Sequence, residues 1–146
     1  MAITILNPRT IHLGGPKTEV NDLHCTEAIT PGMLVMRHVS SGVKVKKSTR
    51  TDLQNSFYAV EASMLNNAYD TDYASGDLVE CIVGAPGTSV YAIIASGANI
   101  AAGARLTDAG NGKLKAVGAG VACAEALESV NNTAGPSDAR IRVECL

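Results

Sequence analysis

Residues 99–118, "NIAAGARLTDAGNGKLKAVG", read as a short strand, a tight glycine turn and a second short strand. Residues 28–47, "AITPGMLVMRHVSSGVKVKK", have nearly the same grammar. Ile29, Gly32 and Val35 recur as Ile100, Gly103 and Leu106, each 71 residues later, and the turn glycines Gly42 and Gly112 are offset by 70. A glycine after two small or proline residues lets the chain bend into the next strand where a positive φ or a close backbone approach is needed. Two readings stay open: a duplicated module, or the likeness that any two glycine hairpins share.

The same pattern extends outward from these modules. "MLVMRHV" and "VKVKK", joined by Ser40, Ser41 and Gly42, form a hairpin pattern. "FYAVEA", "LVECIV", "SVYAIIA" and "VACAEAL" are further strand candidates, separated by turn-rich "NNAYDTDYASGD", "GAPG" and "NNTAGPSD". The closing "ARIRVECL" alternates, with Ile141, Val143 and Cys145 on one face and Arg140, Arg142 and Glu144 on the other. About eight or nine short strands predict an all-β fold, a small β-barrel or a β-sandwich (β-tulip-like) domain. Helix is confined to a turn or two in "DLHCTEAI" and "AIIASGANI". The first 27 residues, punctuated by Pro8, Gly14, Gly15 and Pro16, read as an extended N-terminal arm, with the compact β domain spanning 28–146.

A chain of 146 residues is about one domain long and buries roughly 68–70% of its unfolded surface, enough for a core without disulfides or metals. Its apolar content is mostly Ala, Val, Ile and Leu, with one Phe, four Tyr and no Trp, so it offers few large anchors for a hydrophobic cofactor. A net charge of −2 argues against direct nucleic-acid binding. The charges are segregated. Arg37, Lys44, Lys46, Lys47 and Arg50 form a run with no acid; Asp52, Glu61, Asp70, Asp72, Asp77 and Glu80 form a run with no Lys or Arg. They are either two solvated faces or complementary patches through which neighbouring copies meet.

No motif supports catalysis. Asp70-x-Asp72 opens like a calcium loop, but its fifth, sixth and twelfth places hold Ala74, Ser75 and Cys81. His24, Cys25 and His38 follow no metal-ligand spacing, and the four cysteines lack a C-x-x-C pair. "GTSVY" puts Tyr91 where a nucleophile elbow needs glycine, and "GAGVAC" lacks the third glycine and lysine of a phosphate cradle. Glu125 and Glu128 would need a desolvated cleft to act as an acid–base pair. The expectation is a protein that is not an enzyme and has no cofactor and no metal. The start lacks a secretory pattern and no run is suited to cross a bilayer, so cytosolic synthesis with reduced thiols and no membrane partner is expected.

Taken in order, "NPRTIHLGGPKTEVND", "EAITPGMLV", "AYDTDYASGDLVECIV", "ASGANIAAGARLTDAGNGKLKA" and "ALESVNNTAGPSDARIRVECL" resemble the capsid decoration, or cement, proteins of tailed bacteriophages. The resemblance runs over nearly the whole chain. It implies a structural virion protein on the outer capsid surface, made in the host cytoplasm, which clamps adjacent major capsid protein subunits. It also implies self-association, commonly as a homotrimer, with a dimer as the other possibility. In that setting Ile3, Ile5, Leu6, Pro8, Arg9, Ile11 and Leu13 form the capsid-binding arm, suited to add a strand to a capsid edge. Arg37, Lys44, Lys46, Lys47 and Arg50, with Asp70, Asp72 and Asp77, are then a subunit or capsid charge patch. The competing reading is a carbohydrate- or receptor-binding β module of a virion surface or tail structure, which would present Tyr58, Tyr69, Tyr73 or Tyr91 as a platform.

Overall fold

The computed structural model describes residues 7–39, 41–135 and 137–146. Thirteen short strands follow one another: β1 (His12–Gly14), β2 (Lys17–His24), β3 (Val35–Val39), β4 (Val43–Lys47), β5 (Phe57–Ala59), β6 (Leu78–Gly84) and β7 (Ser89–Ile94). Then come β8 (Asn99–Ile100), β9 (Arg105–Asp108), β10 (Leu114–Ala116), β11 (Ala124–Ala126), β12 (Val130–Asn131) and β13 (Ala139–Cys145). The fold is all-β, as the patterning predicts. The strand total exceeds the expected eight or nine because pieces of two or three residues, such as β1, β8 and β12, are too short to leave a periodic signal.

Between barrel and sandwich, the structure is a barrel. Strands β7, β10, β9, β11 and β13 pair in that order, and β13 returns to β7 over six residue pairs to close the ring. Closure removes the open edges that a flat sheet of this size would present. Ile141, Val143 and Cys145 of β13 are buried while Arg140, Arg142 and Glu144 are half-buried, so the alternation read in the sequence is the inside–outside alternation of the barrel wall. Leu106, Leu114, Ile94, Val90 and Ile141 pack its interior.

A second layer covers the barrel. Strands β2, β6 and β5 form a three-stranded antiparallel sheet, and β3 and β4 form a separate hairpin. Strands β5 and β6 are shared between two cores. Tyr58 and Ile82 belong to the barrel cluster, whereas Phe57, Ala59, Val79 and Cys81 pack with Val35 and Val45 of the hairpin. This double burial explains the β-branched density of "LVECIV".

Both helical expectations are corrected. In "DLHCTEAI" the chain continues β2 to His24, Cys25 bridges Val45, and Ile29 bridges Tyr73. Backbone pairing with neighbouring strands thus takes the donors and acceptors a helix would use. "AIIASGANI" is the end of β7, a turn and β8. Helical structure among the described residues is one 3₁₀ turn, Ser63–Leu65.

The turn grammar recurs more widely than the two modules suggest. "TPGM", "ASGD", "APGT", "ASGA" and "AAGA", beginning at Thr30, Ala74, Ala85, Ala95 and Ala101, each place glycine third with φ between +83° and +97°. In each, the fourth N–H donates to the first carbonyl, at 3.0–3.3 Å. Both features are the signature of a type II turn. The echo between residues 28–47 and 99–118 is therefore a shared turn rather than a repeated unit: β9 and β10 lie in the barrel wall, while β3 and β4 stand outside it.

Within the stretch read as an arm, the body of the fold begins at Ile11. Ile11 is fully buried in the barrel core, its carbonyl accepts from Tyr91 N–H at 2.8 Å, and Leu13 packs against the same cluster. Strand β1 pairs with β7, and the Thr88 hydroxyl donates to the Pro16 carbonyl. The unpunctuated "KTEVNDLH" pairs with β6, with a register irregularity between Val20 and Leu23.

Candidate functional site

Within the stretch read as an arm, the Glu61 carboxylate accepts from the Thr10 hydroxyl at 2.8 Å and from Ile11 N–H at 3.0 Å. That pair of bonds anchors Thr10 and Ile11 to the body. Upstream, Arg9 is exposed and Pro8 half-buried, and Asn7, Pro8 and Arg9 lie beside Tyr69. Ile3, Ile5 and Leu6 lie outside the described residues. Ile11, expected on a docking face of the arm, is instead a core residue, and half-buried Leu13 is turned toward the core as well. Alternation alone does not say which apolar residue of an extended segment meets its own domain.

The two charge runs divide between intramolecular and outward roles. The Arg37 guanidinium lies over the Phe57 ring at 5.2 Å, and Lys47 pairs with Glu27 at 3.9 Å. Asp52 pairs with Lys115 at 3.2 Å, and Glu80 accepts from the Ser63 hydroxyl and Met64 N–H. Asp77 accepts from Ala74 N–H across the turn at 2.8 Å. Lys44, Lys46, Arg50, Asp70 and Asp72 make no ion pair among the described residues. The structure thus brings Lys44 and Lys46 together on one hairpin and Asp70, Asp72 and Asp77 together in one loop.

The tyrosines do not form a platform. Tyr73 is buried, and its hydroxyl donates to the Val60 carbonyl at 2.6 Å. Tyr58 is fully buried, and burial pushes its phenol well above its ordinary range. Tyr69 and Tyr91 meet at 6.4 Å, but Arg140 covers both rings at 5.1 and 5.8 Å. The Arg140 Nη1 donates to the Pro31 carbonyl at 2.8 Å and its Nη2 to the Tyr69 carbonyl at 3.3 Å, so this cluster is a strut between β13 and two loops.

The cysteines are buried and free. Burial pushes the thiol of Cys81 up to about 12 and those of Cys123 and Cys145 to about 11, far from the thiolate a nucleophile needs. No group of three or more His, Cys, Asp or Glu among the described residues is placed to hold a metal ion. No helix among the described residues is long and apolar enough to cross a membrane.

Sequence reasoning missed two exposed apolar features, Val39 with Val43 at the tip of the β3–β4 hairpin and Met64 with Leu65 on the 3₁₀ turn. Their residue types match those of core positions. Only the position of each element relative to the body exposes them.

No protein-family model matches the chain, and no curated sequence matches it. Among solved structures, the N base of the head fiber gp8.5 of bacteriophage phi29 superposes with a TM-score of 0.59 at 10% identity, covering 90% of this chain and 95% of that one. The likeness is one of fold. It extends from the barrel through the covering layer, since the match takes in almost all of both chains.

Proposed function

We propose that the chain is a structural virion protein that attaches to the outside of a phage capsid and stabilises it by binding across adjacent major capsid protein subunits. The observation that carries this reading is the fold shared, over nearly its full length, with a base domain of a phage head fiber. The resemblance in sequence to capsid decoration proteins agrees with it. So does a barrel whose interior is filled by its own aliphatic side chains. In this reading the protein works without catalysis or cofactor. It associates with itself, as a homotrimer or a dimer, and holds the shell through the segment upstream of Thr10 together with its charged surfaces.

Attachment through an extended segment suits the backbone chemistry, because a strand added to an exposed edge gains main-chain hydrogen bonds at any sequence. Several such segments on one oligomer raise avidity by about 10²–10⁴ over a single one. The decisive experiment mixes purified protein with undecorated shells, images them and heats them. Regular density on the outer surface and a raised shell disruption temperature are expected. Bare shells at saturating protein would overturn the proposal.

A further inference from the structure

The β3–β4 hairpin carries one face that runs from core to solvent. Strand alternation puts Val35, Arg37 and Val39 on that face, opposite Lys47, Val45 and Val43. At the root Val35 and Val45 are fully buried, and Arg37 covers Phe57. At the tip Val39 and Val43, directly paired, are 78% and 55% exposed. The core-facing side of the hairpin thus overhangs the body and ends in a two-valine knob. Lys44 and Lys46 flank it on the other face, paired with His38 and Met36.

Elsewhere a groove of about 270 Å³ is lined by Met64, Leu65, Tyr73 and Leu78 together with the acidic Asp72, Asp77 and Glu80. Met64 and Leu65 are 83% and 73% exposed. Their 3₁₀ turn is held in place by the Glu80 carboxylate, so the groove wall is preformed. Neither Val39 nor Val43 lines this groove. Between Ala28 and Thr51 the sequence has no acid, and between Thr51 and Ala104 it has no Lys or Arg. One surface is an apolar knob backed by lysines on the other face of its hairpin; the other is an apolar groove with carboxylates in its lining.

We infer that the hairpin tip of one copy seats in the Met64–Leu65–Leu78 groove of a neighbouring copy, with Lys44 and Lys46 facing Asp72 and Asp77. The contact is head-to-tail, since each copy offers one knob and one groove, and such contacts close into rings when the rotation per copy allows. Opposed charge would fix register, while burial of the valines and Met64 would supply the affinity. This inference rests on the reading that copies of the chain associate.

Cysteine pairing tests it on the full chain, because the four native thiols are buried. Val43→Cys and Met64→Cys proteins are oxidised separately and as a mixture, alongside sedimentation of the unmodified protein. A disulfide-linked dimer is expected in the mixture and not in either protein alone. Lys44→Glu should weaken association at least about tenfold, and adding Asp72→Lys to the same chain should restore it. An oligomer that gives no mixed cross-link and ignores the charge reversals would overturn this inference and leave self-association standing. A dominant Val43→Cys self-link would also overturn it, by placing tip against tip. A monomer at every concentration would overturn self-association itself.

Discussion

At the scale of single residues, the interior of this protein depends on keeping polar and titratable atoms neutral or bonded. Asp108 is fully buried, and its carboxylate accepts from the Ser48 hydroxyl, from Asn55 Nδ2 at 3.3 Å and from Gly110 N–H at 2.8 Å. Those three donors come from the 48–55 connection and the β9–β10 turn, so the carboxylate ties the barrel to the covering layer. The cysteines obey the same constraint. Cys81, Cys123 and Cys145 are raised from the ordinary 9.0 to about 12, 11 and 11, chiefly by burial, so the folded state holds these protons after the unfolded chain has released them. The sign follows directly: their contribution is fully present below pH 9 and is lost as pH rises through 11 to 12. Melting temperatures recorded from pH 8 to about pH 11 should fall steeply above pH 9, and a Cys81→Ala variant should fall less steeply; parallel curves for the two proteins would refute this.

At the scale of elements, the five type II turns set the directions in which strands leave one another, and they are unequal. Gly32 and Gly103 occupy the same place in their turns, at φ +97° and +83°. A side chain at Gly32 would meet Arg140 Nη1 at 2.6 Å and the Tyr91 carbonyl at 2.8 Å, whereas one at Gly103 meets nothing within 4 Å. Gly103→Ala therefore carries only the backbone cost of a left-handed residue, about 1–2 kcal/mol. Gly32→Ala also displaces the guanidinium that binds the Pro31 carbonyl, adding about 1 kcal/mol from a disrupted part-buried hydrogen bond. Denaturant titration of both variants checks the order, and equal losses would show that the Arg140 strut contributes nothing. Most of these turns were legible in the sequence as glycine punctuation, but the one at Ala95–Ala98 was not, because the apolar residues around it also suit a helical turn. Strand β13 was legible too, from its clean alternation. Strand β2 was not: "KTEVNDLH" is largely exposed, and it is held by the backbone of β6 rather than by an apolar face. Nor was barrel closure, because β7 and β13 pair across some fifty residues and no local pattern encodes that meeting.

At the scale of the whole molecule, the question is which part reaches beyond the folded body. Charge segregation was visible as two runs in the sequence. Their division into intramolecular pairs and outward-facing groups required the fold, since Arg37 meets Phe57 and Lys115 meets Asp52 only through it. The arm shows the same limit. Proline and paired glycine marked an extended segment, yet Ile11 and everything from β1 onward joins the body. The Glu61 contacts to Thr10 and Ile11 mark the boundary to test, because Ile11 is the first core residue among those described. Deletion of residues 1–9 should therefore leave the melting temperature and oligomeric state unchanged while lowering apparent affinity for shells by about 10²-fold or more, as loss of a multivalent contact requires. Deletion of residues 1–13 removes buried Ile11 and half-buried Leu13 and should destabilise the fold by about 2–4 kcal/mol, the usual burial of one large aliphatic side chain plus about half of another. Titrating labelled protein onto undecorated shells, with thermal melts in parallel, separates the two effects. Full shell occupancy by the shorter deletion at wild-type concentrations would transfer the capsid contact from the arm to the β domain.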